Sequence, residues 1–467
     1  MGHTPAGMEK VRVSVVVPVY NAMPYLKGLL LSLVDQDLPV DQYEVIAVDD
    51  GSTDAGPALL DDAARTHPQL RVVHQENTGW PGIPRNRGLD LARGTYVFFA
   101  DADDEMGSEA LRRMVDFADE HGSDVLVPKM VGRGGRWVRA SMYASTQVDA
   151  DLETVFQTLT PQKMFRRSML LEHQIRFPEE KVRLEDGMVL AHAYLKARRV
   201  SLYADYDCYY LTARDDGGNI SGQRFDPEGY TWSIAEVSRI VSENDPDPAR
   251  AGRIILDLYR RKCLKFYEPA RWSRMPPARR TAFVRAHQEF IDRWIPPELE
   301  ATLEQRSREV SALVRAGDEE GLLASAQARL EEPLSGALLV GGRWVFRGGL
   351  ELTLEIHGGR VGGTARPLVL EIRRRDGDVV DTVALPDGVP VAQELGRSGV
   401  SRRTVVLQSA LFRSDDQQVL DLRVFVEGAV ERARVAAPLV SVLPAAHRGV
   451  RPYVTVQGNL SIEVLPG

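Results

Sequence analysis

Three aspartates, Asp101, Asp103 and Asp104, directly follow the apolar run at residues 95–100. The run predicts a buried strand, and the strands of an open α/β sheet carry their functional groups at their carboxyl ends. Two aspartates one residue apart can offer hard oxygen ligands to one divalent cation, which can in turn hold a diphosphate. Acidic turns after strands are common, so the meaning of this pattern depends on its surroundings.

Polar segments follow two other predicted strands. Pro18, Val19 and Tyr20 come after the β-branched run at residues 11–17, and Asp50 begins the sequence Asp-Gly-Ser-Thr after the run at residues 45–48. A buried aspartate is costly unless a ligand or backbone donors satisfy it. Asp50 is therefore either a ligand-binding residue or an ordinary turn residue.

Five more polar candidates lie farther along the chain. Asn77 opens an Asn-Thr-Gly segment, and Arg85 lies in the sequence Pro-Arg-Asn-Arg-Gly-Leu. Glu185 and Asp186 form an acidic pair that could be a general base with its neighbour, or could complement the dipole at the start of a helix. Arg214 lies in a glycine-rich stretch after an aromatic strand, where it could also be an incidental surface residue.

Alternating strands and helices position these residues. The sequence predicts strands at 11–17, 45–48, 70–73, 95–100 and 125–127, with helices at 25–34, 58–64 and 108–121. Strand and helix in alternation predict α/β architecture, with a largely parallel sheet and helices on both of its faces. The polar segments then collect at one edge of that sheet, where ligands bind in such folds.

The pattern changes twice after this region. From about residue 227 to 330 it is helical, and beyond 335 at least six short strands separated by turn signals predict an antiparallel β-sandwich of immunoglobulin-like size. We therefore expect three domains: residues 1–225 catalytic, 226–334 a helical linker, and 335–467 a C-terminal sandwich that serves oligomerisation.

Composition excludes several classes of protein. The 467 residues carry a formal net charge of −8, so no overall basic field favours nucleic acid. Basic runs occur at 260–262, 279–280 and 373–375; solvated surfaces are their ordinary explanation, although a local patch could suit a polyanionic acceptor. Two cysteines without metal-like spacing fit a reducing compartment. No apolar run approaches the roughly 18 residues of a membrane span, so we expect a cytoplasmic protein.

Segments 13–21, 45–54 and 101–104 together resemble the motifs of family 2 glycosyltransferases of the GT-A fold. The similarity covers about residues 11–225. It implies a nucleotide-diphosphate-sugar donor whose base lies against Pro18, Val19 and Tyr20 and bonds to Asp50. A dehydrogenase would instead need a Gly-x-Gly-x-x-Gly segment after the first strand.

The same resemblance assigns the remaining roles. Asn77 and Arg85 would reach the donor, with Arg85 pairing with carboxylates or phosphates, and Asp101 would contact ribose or sugar hydroxyls. Asp103 would be the main protein ligand of Mn²⁺ or Mg²⁺.

On the acceptor side, the resemblance makes Asp186 the base that removes the acceptor proton. Glu185 would be its neighbour or bind the acceptor. Arg214 would belong to a mobile loop that closes over the diphosphate.

In layout, the chain is similar to soluble wall-teichoic-acid glycosyltransferases, which have a GT-A domain, a helical linker and immunoglobulin-like modules that build a trimer. The resemblance implies a metal-dependent inverting transfer from a UDP-sugar, with N-acetylglucosamine favoured, to a polyol-phosphate or other cell-surface glycan. It also implies a homo-oligomer, with a trimer favoured. Peripheral association with the inner face of the membrane stays open, as do two alternatives: a capsule or exopolysaccharide transferase on a lipid-linked oligosaccharide, and a non-catalytic glycan-binding protein.

Overall fold

The computed structural model describes residues 11–133, 138–212, 225–330, 336–345, 349–357, 367–375, 377–386, 389–390, 400–412, 417–427, 433–437, 443–455 and 459–465. The chain divides into two compact units. The first consists of Met1–Leu258 with Arg293–Ile295, and the second of Tyr259–Asp292 with Pro296–Gly467.

The first unit alternates strands with helices, as its sequence predicts. Its strands are β1 (Val13–Val19), β2 (Tyr43–Asp49), β3 (Leu70–His74), β4 (Tyr96–Phe99), β5 (Glu105–Met106), β6 (Val125–Pro128), β7 (Met130–Arg133), β8 (Met164–Arg166), β9 (Val200–Tyr203) and β10 (Tyr209–Thr212). Its helices are α1 (Leu26–Val34), α2 (Gly56–Thr66), α3 (Gly82–Leu91), α4 (Ala110–His121), α5 (Leu152–Val155), α6 (Arg167–Glu172), α7 (Glu185–Lys196), α8 (Pro227–Asn244) and α9 (Pro248–Leu258).

Seven strands form the main sheet, in the order β3-β2-β1-β4-β8-β6-β9. Strands β3, β2, β1 and β4 are parallel, so their carboxyl ends meet at one edge, as predicted. Strand β8 runs antiparallel to β4 and β6, which the sequence analysis did not anticipate. Every residue of β2 and β4 is buried, and this explains why their sequences are continuous apolar runs rather than alternating ones.

A close contact fixes α3 against this sheet. A Cβ atom on Gly88 of α3 would lie only 2.2 Å from Cγ1 of Val16 in β1, a distance that real side chains do not show. Glycine at this position therefore lets the helix approach β1 directly. Because α3 carries Arg85, this packing helps to fix the position of Arg85 relative to the sheet.

The second unit starts with helices and continues with strands. A π-helix (Tyr259–Cys263) and a 3₁₀-helix (Leu264–Tyr267) lead into α10 (Pro269–Arg274), α11 (Pro277–Trp294), α12 (Pro297–Glu300), α13 (Gln305–Ala316) and α14 (Glu319–Leu330). The strands are β11 (Gly336–Val345), β12 (Gly349–His357), β13 (Leu368–Arg374), β14 (Val379–Ala384), β15 (Val389–Pro390), β16 (Val400–Leu407), β17 (Gln418–Val426), β18 (Ala433–Ala436), β19 (Val450–Val454) and β20 (Leu460–Val464).

These strands form the predicted β-sandwich. One sheet consists of β11, β12, β15 and β16, and the other of β13, β14, β17, β18, β19 and β20. Alternate residues of β12, β13, β17 and β20 are buried in one shared hydrophobic core, so the two sheets pack face to face. The parallel pairing of β11 with β18 joins them. Strands β11 and β18 were not predicted, because their small residues and glycines weaken the alternating pattern. In the described part of the chain, no helix combines the length and the apolar character needed to cross a membrane.

Candidate active site

The loops after β1 and β2 are fastened to each other at the sheet edge. Asn21 Oδ1 accepts a hydrogen bond from Thr53 N at 2.8 Å, and Asp54 Oδ2 accepts one from Met23 N at 2.9 Å. Asn21 N also donates a hydrogen bond to Ser52 Oγ at 3.1 Å. These hydrogen bonds between the two loops fix the positions of the neighbouring residues Tyr20 and Asp50.

Asp50 is buried, and the protein itself satisfies its carboxylate. It accepts hydrogen bonds from Gln75 Nε2 at 2.7 Å, Thr78 N at 3.1 Å and Thr78 Oγ1 at 2.9 Å. Asn77 Nδ2 donates to the Asp50 carbonyl at 2.9 Å. The burial cost expected for Asp50 is therefore met by internal donors, which also fix the orientation of the carboxylate.

Gln75 and Thr78 were not predicted, although Thr78 directly follows the predicted residue Asn77. Their hydrogen bonds to Asp50 require the loop after β2 and the loop after β3 to approach each other closely. Gly51 has φ +73°, and a Cβ there would lie 2.7 Å from the Asn77 nitrogen. Only glycine fits both the backbone conformation and the space, so the Asp-Gly pair is a structural requirement of this site.

At the same edge, the side chains at the end of β1 and directly after it differ in exposure. Val19 is 1% exposed and packs in the sheet, whereas Tyr20 is 52% exposed. Pro18 is partly buried. Tyr20 and Asp50 each directly follow one of the paired residues Val19 and Asp49 of β1 and β2. An exposed tyrosine ring and an oriented carboxylate at the same sheet edge suit a flat heterocycle that offers N–H donors.

Arg85 connects the two halves of the site. Its side chain is only 5% exposed, and its Nη2 donates to Asp101 Oδ1 at 2.9 Å while its Nη1 donates to Asp186 Oδ1 at 2.7 Å. Glu185 Oε1 lies 3.8 Å from Nη1, and the guanidinium carbon lies 5.0 Å from the centre of the Phe177 ring. Arg85 therefore pairs with the predicted carboxylates of both the donor and the acceptor sides.

Glu185 and Asp186 occupy the first turn of α7, after Leu184 in the left-handed conformation with φ 57°. Burial raises the pKa of Asp186 to about 6, and the nearby Arg85 opposes that rise. Burial and then the charge of Asp186 raise the pKa of Glu185 to about 8. Asp186 is the member of the pair in direct contact with the Arg85 guanidinium, at 2.7 Å against 3.8 Å for Glu185, and this contact favours its ionised form, which is the state that a general base needs.

Strand β10 holds the loop of three aspartates. The hydroxyl of Tyr209 accepts a hydrogen bond from Asp101 N at 2.9 Å, and Thr212 N donates to Asp104 Oδ1 at 2.8 Å. Burial, followed by the charges of Asp101 and Asp103, raises the pKa of Asp104 to about 8. The raised pKa reports the crowding of carboxyl groups around the partly buried Asp103, and a divalent cation bound there would relieve their repulsion.

Within the described residues, no three His, Cys, Asp or Glu side chains are grouped to hold a metal ion. A cation at Asp103 would thus take most of its ligands from phosphate oxygens and water, as Mg²⁺ commonly does. Arg214 lies outside the described residues, shortly after β10 ends at Thr212.

Two further residues near the carboxylates were not predicted. Gln162 Nε2 donates to Asp101 Oδ2 at 2.5 Å. Lys163 is completely buried and donates to Thr158 Oγ1, Thr160 O and Thr160 Oγ1 at 3.1 to 3.2 Å. Burial lowers the pKa of Lys163 to about 7, against the attraction of Asp186. No local pattern marks either residue, because each acts through contacts formed only in the fold.

Two protein-family models match parts of this chain. Residues 14–182 match the family described as glycosyl transferase family 2, and residues 227–326 match the glycosyl transferase TarS linker domain. The first match includes Asp50, Asp101 and Asp103 but ends before Glu185 and Asp186, and the second covers α8 to most of α14.

Curated relatives share sequence with the first part of the chain. A poly(ribitol-phosphate) beta-glucosyltransferase of Bacillus spizizenii is 35% identical over 307 residues, which are 62% of this chain and 48% of the relative. The poly(ribitol-phosphate) beta-N-acetylglucosaminyltransferase TarS of Staphylococcus aureus is 37% identical over 251 residues, 53% of this chain and 44% of TarS. The chain thus spans about half the length of these relatives.

Solved structures extend the likeness. The crystal structure of S. aureus TarS 1-349 in complex with UDP-GlcNAc is 31% identical, with a TM-score of 0.62, and the match covers 73% of this chain and 96% of that one. The crystal structure of S. aureus TarS covers 97% of this chain and 85% of TarS, with a TM-score of 0.63 at 24% identity. The latter supports the fold of the chain, including its β-rich C-terminal region.

Proposed function

Because the chain belongs to glycosyltransferase family 2, we propose that it transfers a sugar from a UDP-sugar to a hydroxyl of a polyol-phosphate polymer, with inversion at the anomeric carbon. The observation that carries this proposal is the Arg85 bridge, which pairs one buried guanidinium with Asp101 and Asp186. The bridge fixes the loop after β4, which would face the diphosphate of the donor, relative to the candidate base Asp186. A protein that only binds glycans would not need these two groups to be aligned.

The donor end rests on Asp50 and Tyr20. Asp50 is held by three hydrogen bonds from Gln75 and Thr78, and the exposed Tyr20 follows β1 at the same sheet edge. A uracil base can stack on such a ring and donate its N–H to a fixed carboxylate. The known complex of S. aureus TarS 1-349 with UDP-GlcNAc supports a uridine diphosphate donor for this chain as well.

Asp103 would hold a Mn²⁺ or Mg²⁺ ion, which as a Lewis acid would neutralise the charge of the leaving diphosphate. The chain's own residues orient that region. Gln162 and Arg85 hold the Asp101 carboxylate from two sides, while Thr212 and Tyr209 fix the loop backbone and Asp104. The proposed role of Asp101 is to contact ribose or sugar hydroxyls, and that of Arg214 is to close over the diphosphate.

Asp186 would act as the general base. As the acceptor oxygen bonds to the anomeric carbon, the bond from that carbon to the diphosphate breaks, and the hydroxyl proton passes to an Asp186 carboxylate oxygen. Arg85 keeps this carboxylate ionised near neutral pH and restricts its orientation. Glu185, whose pKa is about 8, would be protonated and able to donate a hydrogen bond to the acceptor.

The proposed inversion and the proposed acceptor are both inferred from the names of the curated relatives. Both named relatives are poly(ribitol-phosphate) transferases that form beta linkages. UDP-glucose and UDP-N-acetylglucosamine carry the sugar in the α configuration, so a beta product requires inversion. We favour N-acetylglucosamine as the sugar, and glucose is the competitor that the named relatives suggest.

We also propose an oligomeric state and a cellular location for the protein. Strand β14 lies at one end of the strand order in the sandwich, and Val379 and Val380 on it are 48% and 37% exposed. Exposed valines on an edge strand favour association between copies, and we propose a trimer in the cytoplasm, at the inner face of the membrane. Light scattering of the full chain tests the trimer.

The test of the proposed reaction is UDP release from a panel of UDP-sugars with and without a ribitol-phosphate oligomer. Oligomer-dependent UDP release, together with a matching mass increase of the oligomer, is the expected result. UDP release that ignores the oligomer, or no release with any sugar of the panel, would contradict the proposal.

A further inference from the structure

Two adjacent polar side chains lie buried in the segment that leads into β8. Gln162 is 1% exposed, and its Oε1 has no hydrogen-bond partner among the described residues. Lys163 is 0% exposed and forms no ion pair within the described part of the chain. A buried lysine without an ion pair and a buried amide with an unpaired oxygen both oppose folding, and such departures from the rules of stability are concentrated at functional sites. The pair therefore indicates a role other than stability.

The side chain of Lys163 determines how this segment folds. Nζ lies 3.2 Å from Thr158 Oγ1, 3.1 Å from Thr160 O and 3.2 Å from Thr160 Oγ1. The Lys163 backbone nitrogen donates a hydrogen bond to the Pro161 carbonyl at 2.6 Å. Residues 158–163 therefore curl around one amine, and we name them the lysine loop.

The lysine loop is fastened to α7, the helix that carries the candidate base. The Tyr194 hydroxyl of α7 donates a hydrogen bond to the Thr158 carbonyl at 3.1 Å. A Cβ atom on Gly187, which directly follows Asp186, would lie 3.6 Å from Leu159 Cδ1, an ordinary packing distance. The loop thus contacts α7 both beside Asp186 and about two turns farther along the helix.

The other end of the lysine loop reaches the aspartates after β4. Gln162 Nε2 donates to Asp101 Oδ2 at 2.5 Å, whereas Arg85 binds the other oxygen of the same carboxylate. Strand β8 begins directly after Lys163 and pairs antiparallel with β4. The lysine loop is therefore a second connection between Asp101 and α7, along a different path from the Arg85 guanidinium.

We infer that Gln162 and Lys163 are positioning residues of the proposed transfer. Lys163 folds the lysine loop, and Gln162 carries the geometry of that loop to Asp101, so that Asp101 keeps a fixed position relative to Asp186 on α7. This inference rests on the proposed function for the reaction that is affected. Neither residue needs to touch the substrate, because each acts through Asp101.

A double-mutant cycle tests whether Lys163 acts through Gln162. Gln162→Met and Lys163→Met keep nearly the length of each side chain and remove its hydrogen-bond donors. Each should lower kcat for transfer from UDP-N-acetylglucosamine about tenfold and leave KM for the ribitol-phosphate oligomer near wild type. The double variant should be about as active as the weaker single variant, because the two residues act along one path. Lys196→Met is the matched control, since Lys196 is an exposed lysine in the last turn of α7.

Thermal unfolding separates positioning from a role in folding. Methionine replaces a buried polar group by an apolar one, so both variants should unfold at the wild-type temperature or above it while kcat falls. Thr158→Val is a second variant in case Lys163→Met does not fold. It removes one oxygen from the surroundings of Nζ and should lower kcat in the same direction by a smaller factor.

Three results would overturn the inference. Wild-type kcat in both single variants would do so, and effects that multiply in the double variant would show that Lys163 does not act through Gln162. A fall in unfolding temperature that accompanies every loss of activity would show that the two residues only stabilise the fold.

Failure of the proposed function would look different, because the wild type would then transfer no sugar to the oligomer. The same cycle is therefore also measured as affinity for UDP-N-acetylglucosamine, by calorimetry with Mn²⁺ and without acceptor. Asp101 is proposed to contact ribose or sugar hydroxyls, so each single variant should bind this donor about threefold more weakly or worse, with no further loss in the double variant. Unchanged donor affinity in both single variants would contradict the positioning role even without an acceptor.

Discussion

Arg85 and Asp186 are 101 residues apart in the chain, and Nη1 of Arg85 donates to Oδ1 of Asp186 at 2.7 Å. The other arm of the same guanidinium binds Asp101 at 2.9 Å. Helix α3 thus links the loop after β4 to the first turn of α7. A shift of this one buried side chain would disturb both sides of the proposed reaction.

Substitution of Arg85 should change the pH dependence of turnover. In the wild type, kcat should rise with pH through a midpoint near 6, because Asp186 must lose its proton to act as a base. Arg85 lowers the pKa of Asp186, so Arg85→Met should move the midpoint upward, whereas Arg85→Lys keeps the charge and should keep the midpoint. Misplacement of the carboxylate should lower kcat of the lysine variant by up to about 10²-fold. An unchanged midpoint in Arg85→Met would show that Asp186 is not the titrating base.

Asp186→Asn should separate chemistry from donor binding. The amide has nearly the same shape but cannot take the proton, so kcat should fall by about 10²- to 10⁴-fold. UDP affinity, measured by calorimetry, should stay close to wild type. Loss of UDP affinity with turnover retained at saturation would instead identify Asp186 as a donor-binding residue.

Asp103→Asn should remove metal dependence together with activity. Loss of the ligand for the cation should lower transfer by on the order of 10²-fold or more. Thermal unfolding should occur at the wild-type temperature or slightly higher, because Asp103 is one of the charges that raise the pKa of buried Asp104. In the wild type, EDTA should abolish transfer and Mn²⁺ should restore it. Full activity of either protein in excess EDTA would refute the metal role.

Thr78→Val should weaken donor binding selectively. The change removes the hydroxyl that lies 2.9 Å from the Asp50 carboxylate and keeps the shape of the side chain. The lost hydrogen bond to a charged group, worth about 1.5 to 3 kcal/mol to the stability of the protein, is present with and without UDP. Only the looser orientation of Asp50 acts on binding, so UDP affinity should fall by up to about tenfold, with a smaller effect on kcat. Thr78→Ser restores the hydroxyl and is the matched control. Unchanged UDP affinity in the valine variant would contradict the assignment of Asp50 to the base.

Much of the fold could be predicted because its core strands have strong local patterns. The buried runs of β1, β2 and β4 and the turns that follow them are visible as apolar segments with polar ends. Strand β8 could not be predicted, since it has three residues and pairs antiparallel between two strands of distant sequence. C-terminal strands in which large apolar residues alternate with polar residues were predicted. Strands β11 and β18 were missed, because their small residues weaken this alternation.

The residue types of the candidate site could be predicted from the sequence, but the hydrogen bonds between those residues could not. Motifs identified Asp50, Asp101 and Asp186, yet nothing local shows that one arginine joins the last two. Gln162 was missed for the same reason, as it reaches Asp101 across 61 residues. Such contacts depend on how α3, α7 and the segment before β8 pack, which only the tertiary structure determines.

The most direct test of the proposed function is the anomeric configuration of the product formed from UDP-N-acetylglucosamine and a ribitol-phosphate oligomer. Proton NMR of the purified oligomer reports it through the coupling constant of the anomeric proton. A beta-linked sugar on a ribitol hydroxyl, formed by the wild type and lost in Asp186→Asn, is the result we predict. An α-linked product, or UDP release with no sugar joined to the oligomer, would contradict inverting transfer with Asp186 as the base.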